Sequence, residues 1–316
     1  MKTLHSHLED HFEELELVIG WEIGFEPLRA TPAFVRRRED LARLVWNPLC
    51  APNLSVYLPQ ILKSAEKTEK KVAVCLKGCD TRSLTALIQE GFVDRERLHV
   101  IGLPCPGTVD PQALAQARKN RAPVTQVSFQ DNLLILHSYE GTEEIPLDSV
   151  LARRCRRCRQ PNPLLADVVL GDPVPARCDA PSFAHVEAVD SLPLEERRAY
   201  WERELDRCLR CYACRNACPL CVCRDRCLAE SRTPKWTTQR DSVRDKFLFH
   251  MIHALHLAGR CTECGECERV CPVGIPVALF KEKMAQIALD LWDYQAGVDP
   301  AATPPLQTFD PSETGI

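Results

Sequence analysis

The chain has 316 residues, 45% of them hydrophobic and 27% charged, with a formal net charge of -4. That length suits about two domains with a real core, and the balance excludes both a long disordered chain and the basic excess of a nucleic-acid binder. The anomaly is the 18 cysteines. In a reducing compartment so many thiols are not held as disulfides, which leaves metal binding as their leading use. The opening MKTLHSHLEDHFEELELV is acidic and broken by charge every few residues, unlike a secretory signal. No apolar run reaches the ~18 residues of a membrane span, so the expected location is the cytoplasm.

In chain order, His5, His7 and His11 read as a solvated helix face rather than a metal site. Residues 1–190 read as an α/β domain, with strands predicted at 72–76 and 98–103 around a helix from Asp80 to Glu90, and further strands at 123–129, 132–139 and 166–171. Cys75 alternates into the first of these strands and reads as core. KGCDTRSL follows that strand and opens the helix, so Lys77, Gly78 and Arg82 are candidates for an anion or phosphate pocket at a helix N-terminus. GLPCPG puts Cys105 just after the next strand, at the same end of a parallel sheet, where ligands of open α/β sheets sit. RRCRRCRQPNP adds Cys155 and Cys158, flanked by Arg153, Arg154, Arg156, Arg157 and Arg159. Those arginines would depress the thiol pKa values; the alternative is a solvated basic face.

The stretch PSFAHVEAVDSLPLEERR reads as a linker. Residues 195–296 read as a mainly helical domain, in which Val243, Phe247, Met251 and Leu255, and Phe280, Met284, Ile287 and Leu291, form apolar stripes expected to face the core. His250, His253 and His256 are read as a solvated face, and Trp236, Trp292 and Tyr294 as packed rings before partner anchors. Residues 297–316 read as an extended tail.

The strongest signal is a repeat. Cys208, Cys211, Cys214 and Cys218 before Pro219 form C-x2-C-x2-C-x3-C-P, and Cys261, Cys264, Cys267 and Cys271 before Pro272 repeat the spacing. Three thiolates two residues apart on a tight turn can meet three irons of one cube, while the fourth, leading away past a proline, reaches the other cube. The spacing therefore assigns Cys208, Cys211, Cys214 and Cys271 to one 4Fe-4S cluster and Cys261, Cys264, Cys267 and Cys218 to a second. Tetrahedral zinc would need neither the third cysteine nor the trailing proline. Cys221, Cys223 and Cys227 lie outside the scheme; with a fourth ligand from Cys178 or Cys50 they could hold another cluster, or they are simply packed thiols.

The long insert between the motifs resembles the helical two-cluster ferredoxin module of succinate dehydrogenase and heterodisulfide reductase subunits. LVWNPLCAPNL, CLKGCDTRSLTALIQEG, VIGLPCPGTVD and CRRCRQPNPLLADVVLGD resemble the coenzyme F420 hydrogenase/dehydrogenase beta subunit family, here fused to a dicluster ferredoxin. The resemblance implies a cluster in the first domain, carried onto Cys79, Cys105, Cys155 and Cys158 with Cys50 as the substitute ligand. It also implies FAD in members that reduce the deazaflavin, with Lys77, Gly78 and Arg82 as candidates for its phosphates, although no G-x-G-x-x-G follows a strand.

The chain therefore reads as an iron-sulfur electron-transfer subunit of a multi-subunit oxidoreductase. Its expected partners are hydrogenase, formate dehydrogenase or heterodisulfide-reductase-like subunits, with neither nucleic acid nor a membrane span of its own. The alternatives are a pure electron-transfer adaptor lacking flavin and, more remotely, a zinc-stabilised structural protein.

Overall fold

The structure, a computed structural model, describes residues 2–64, 69–223, 227–229, 238 and 240–308. The chain divides into two compact units, Met1–Thr81 with Asp94–Pro181, and Arg82–Val93 with Ser182–Ile316.

After the helix α1 (Lys2–His11), the first unit builds a mixed sheet from β1 (Leu15–Ile23), β2 (Ala30–Val35), β3 (Leu44–Val45), β4 (Lys71–Leu76), β5 (Leu98–Gly102) and a later strand, Val168–Val169. The order is β2-β1-β4-β5 and then that late strand, with β3 also beside β1. β1, β4 and β5 run parallel, and β2 pairs antiparallel with β1. Every residue of β4 after Lys71 is buried, as a central parallel strand covered on both faces requires. Helix α2 (Leu58–Ser64) precedes β4, and α3 (Gly78–Gln89) follows it. At the start of α3 a side chain is impossible: a Cβ on Gly78 would lie 1.9 Å from the Gln160 carbonyl oxygen.

Helix α4 (Pro111–Ala117) opens on Asp110, whose carboxylate accepts from the N–H groups of Gln112 and Ala113. A separate antiparallel meander joins β6 (Val124–Gln130), β7 (Leu133–Ser138) and β8 (Gly141–Pro146), and the short strand at Val168–Val169 is β9. The β6–β7 turn places Asp131 and Asn132 at positive φ, 48° and 63°, matching the twist of a two-residue hairpin. The strands expected at 72–76, 98–103, 123–129 and 132–139 are present within a residue or so, whereas 166–171 contracts to two residues. β1, β2, β3 and β8 were not expected.

Among the described residues the second unit contains helices and no strand: α5 (Ala184–Asp190), α6 (Leu194–Asp206), α7 (Ala213–Asn216), α8 (Val243–Leu255), α9 (Glu266–Arg269) and α10 (Ala278–Trp292). The expected linker is thus largely helical, and Phe183 and Val186 are buried against Leu279 of α10. α8 packs on α6 and α10, and α7 on α9. The core gathers Leu205, Phe249, Ile275 and Val277 with Cys208, Cys214 and Cys227.

The apolar stripes face this core only in part: Val243 and Phe280 pack against it, but the rest do not follow. Phe247, Leu255 and Leu291 are exposed, and the buried positions of α8 are Lys246, Phe249, His250, His253 and Ala254. Likewise α10 buries Lys281 and Glu282. Trp292 is exposed, Tyr294 is buried, and Trp236 lies outside the described residues. Of the tail, residues 297–308 are described. Gln89 donates from Nε2 to the carbonyls of Asp299, Pro300 and Ala302, so this stretch is tied down by its backbone. No helix among the described residues is long and apolar enough to cross a membrane.

Candidate metal centres

The two cysteine loops of the second unit share one backbone design. Arg210 and Glu263, each two residues after the first cysteine, adopt φ of 48° and 56°; Tyr212 and Gly265, two further on, adopt 60° and 67°. A single-turn helix follows in each case, α7 in one loop and α9 in the other. These left-handed positions fold the chain back on itself, so that the N–H of Arg210 donates to Cys208 Sγ and that of Glu263 to Cys261 Sγ, both at 3.4 Å. Glycine takes the second such position at no steric cost. Tyr212 holds it with its ring edge-on to Phe249, centroids 5.1 Å apart.

Each loop encloses one cavity and closes the other's. Cys208, Cys211, Cys214 and Cys271 line the first, beneath Tyr212, Phe249 and His250. Cys261, Cys264, Cys267 and Cys218 line the second, beside Leu257 and Lys281. Each cavity therefore receives three sulfurs from one loop and the fourth from the Cys-Pro end of its twin.

The charges around these sulfurs fit an anionic guest. Burial raises the Cys208 thiol, with Cys271 and Cys211 adding to the rise, and pushes Cys214 up to about 11. Burial also raises Cys261 and Cys267 well above the usual thiol range, and Cys218 is raised first by its hydrogen bond with Cys221. Lys281 opposes the rise at Cys214, Cys218 and Cys267. Only 2% exposed, it donates to the Val277 carbonyl at 3.1 Å, and no carboxylate among the described residues pairs with it. A buried ammonium without a counter-anion is costly, and thiolates converging on a metal cluster supply one.

Cys221, Cys223 and Cys227 line neither cavity. Cys221 Sγ lies 3.1 Å from His253 Nε2, and these atoms group with Cys218 Sγ within 4.8 Å of one another. Cys223 is raised by burial and by Cys227, its neighbour. His250 and His253 are not a solvated face, being 1% and 2% exposed. Burial lowers His250 to about 3 and His253 well below its ordinary value, with Lys281 contributing to both. Their spacing of three residues on a helix was the available signal. It was misread because the apolar stripe beside it claimed the buried face.

In the first unit, Cys79 opens α3 and Cys105 follows β5, both at the carboxyl ends of parallel strands. Burial pushes Cys105 up to about 12, with further upward pressure from Cys155 and Cys158; Cys79 is raised by burial, then by Asp80, and also feels Cys105. The four sulfurs thus share one electrostatic neighbourhood. Cys155 Sγ accepts from Thr108 N at 3.3 Å, and Arg154 acts on Cys79 in the opposite sense to its burial. Cys50 is fully buried, its thiol directed at the Val45 carbonyl and pushed up to about 12 by burial. Cys178 donates to the Arg157 carbonyl.

The expected phosphate cradle is already engaged. Lys77 Nζ pairs with Asp80 at 2.8 Å, donates to the Pro52 carbonyl and lies over the Trp21 ring. Gly78 faces the carbonyls of Gln160 and Asn162, and Arg82 binds the Ala296 carbonyl and Glu263. These three residues do not fit a flavin phosphate site. Nor are the N-terminal histidines simply solvated: His5 bonds to the Leu44 carbonyl, and His7 meets His99, Nε2 to Nε2, at 2.9 Å.

Residues 69–189 match the family described as the C terminus of the coenzyme F420 hydrogenase/dehydrogenase beta subunit, and residues 204–275 match the 4Fe-4S dicluster domain. The chain is similar to the F420-dependent formate dehydrogenase subunit beta of Methanocaldococcus jannaschii, 23% identical over 92% of this chain and 89% of that protein. It is also similar to the F420-dependent formate dehydrogenase 1 subunit beta of Methanococcus maripaludis, 26% identical over 92% and 88%. A chain of the F420-reducing [NiFe] hydrogenase complex from Methanosarcina barkeri aligns over 49% of this chain and 58% of its own length, with 15% identity and a TM-score of 0.39.

Proposed function

Because residues 69–189 match the coenzyme F420 hydrogenase/dehydrogenase beta subunit family and residues 204–275 match the 4Fe-4S dicluster domain, we propose that the chain is an iron-sulfur electron-transfer subunit of an oxidoreductase complex. The observation that carries this reading is the crossed pair of four-cysteine cavities, with a buried lysine lining one and acting on sulfurs of both. Cys208, Cys211, Cys214 and Cys271 would hold one cluster, and Cys261, Cys264, Cys267 and Cys218 the other. When bound, such clusters carry single electrons without bond chemistry of their own. The protein's part is to dehydrate and fix the sulfurs, to direct backbone N–H groups at Cys208, Cys261 and Cys271, and to set Lys281 against the negative charge.

Cys79, Cys105, Cys155 and Cys158 would hold a third cluster in residues 1–190, distinct from the dicluster domain of residues 195–296 and the tail at 297–316. The curated relatives are subunits of formate dehydrogenases, so the partners we propose are catalytic subunits of that class, in the cytoplasm. A second reading, an adaptor without flavin, is favoured by the prior engagement of Lys77, Gly78 and Arg82. Anaerobic purification followed by a count of iron, sulfide, zinc and flavin separates the readings. About eight to twelve irons with matching sulfide support the electron-transfer assignment, flavin decides between its two forms, and zinc without sulfide overturns it.

A further inference from the structure

His250 and His253 sit one turn apart on the buried face of α8, and each directs Nε2 at a cysteine sulfur, Cys208 at 3.4 Å and Cys221 at 3.1 Å. In both rings Nδ1 is buried and has no hydrogen-bond partner among the described residues. A proton placed on Nδ1 would be a buried donor with no acceptor, whereas a proton on Nε2 meets a sulfur. The tautomer is therefore fixed by the surroundings, with the N–H facing sulfur. The His250 ring is also held in place by Phe249, edge-on at 4.8 Å, and by Phe280, stacked at 6.1 Å.

The two cavities are matched in the backbone donor at their first cysteine. Each of these sulfurs accepts one N–H, from Arg210 or Glu263, at the same 3.4 Å. To this the first cavity adds a side-chain donor, since His250 lines it and reaches Cys208. Cys221, the acceptor of His253, lines neither cavity.

We propose that His250 is a positioning residue that raises the reduction potential of the cluster held by Cys208, Cys211, Cys214 and Cys271 by donating Nε2–H to Cys208, and so makes the two dicluster centres unequal. The inference rests on the reading of those four cysteines as ligands. A coordinated thiolate accepts but cannot donate, and a donor aimed at it favours the reduced, more negative state. His253, with the same burial and helix but the wrong sulfur, provides the internal control.

The test is a redox titration of the anaerobically prepared full chain, followed by paramagnetic resonance, for wild type, His250→Phe, His250→Gln and His253→Phe. His250→Phe should lower one midpoint, with an oxidised-to-reduced ratio about tenfold higher at fixed potential, which is about 59 mV for a one-electron couple. His250→Gln, which retains an N–H donor, should recover part of that shift, and His253→Phe should leave the same midpoint in place. Iron and spin counts accompany each titration: a wild type without clusters overturns the ligand reading, whereas intact clusters with an unmoved midpoint in His250→Phe overturn the role of His250 alone. An equal shift in both phenylalanine variants would reduce the effect to packing and also overturn it.

Discussion

Replacing Lys281 with methionine removes a positive charge while keeping an unbranched side chain of similar length, so the test isolates electrostatics. Lys281 is 2% exposed and acts on sulfurs of both cavities, Cys214 in one and Cys218 and Cys267 in the other. A unit charge lining such a site, at an effective dielectric of roughly 20, is worth on the order of 2 kcal/mol to a reducible centre within it. For a one-electron couple, at about 59 mV for each tenfold change, that corresponds to roughly 100 mV. The sign follows from charge: the reduced state is the more negative, so losing the ammonium disfavours it and both dicluster midpoints should fall. Redox titration with paramagnetic detection measures this directly, with iron content confirming that the clusters remain. Two unmoved midpoints at full iron content would refute the placement of Lys281 as a shared counter-charge.

Cys264→Ser should remove close to four irons per chain, counted colorimetrically; an unchanged count would sink the ligand set of the second cavity. Replacing Cys155 and Cys158 together should cost one cluster and leave the dicluster resonances intact, and no loss of iron would refute the site in the first unit. Glu90→Ala should cost about 2 kcal/mol in thermal or denaturant melts, because it strips Arg260 of a two-pronged partner that is mostly shielded from water. A side chain larger than hydrogen at Gly265, as in Gly265→Val, should cost about 1–2 kcal/mol and loosen the second loop, since its φ is 67°. Tyr212→Gly at the twin position removes the left-handed strain but also the half-buried ring on Phe249, so its net effect on melting should be smaller than the loss of that ring alone.

Much of the first unit was legible because its central strands are continuous apolar runs ended by glycine or proline. β4 and β5 were read within a residue or so, and the helix between them starts two residues earlier than expected. The outer strands escaped: β1 carries Glu16 and Glu22 among its apolar residues, and β2 contains Pro32, which edge strands tolerate. In the second unit the repeated motif predicted which cysteines share a cavity, since sulfur spacing constrains a loop far more tightly than hydrophobicity constrains a helix. Helix facing was misread for the same reason. An interior built to receive charge buries Lys246, His250, His253, Lys281 and Glu282, and leaves Phe247 and Leu255 on the outside, against the rule that apolar stripes face inward. What engages Gly78 and Arg82 was not legible, because those neighbours, Gln160 and Glu263 among them, are distant in sequence.

The assignment of Arg82–Val93 to the second unit has a practical corollary for anyone wishing to dissect the protein. Severing the gene near codon 190 to express the downstream half would discard Ser83, whose hydroxyl meets Thr262 at 2.8 Å, along with Gln89 and Glu90, which hold the tail and Arg260. Such a fragment would lack a brace that the chain supplies from far upstream. Its failure to retain iron would therefore report the missing brace and leave the role of the cysteines untouched.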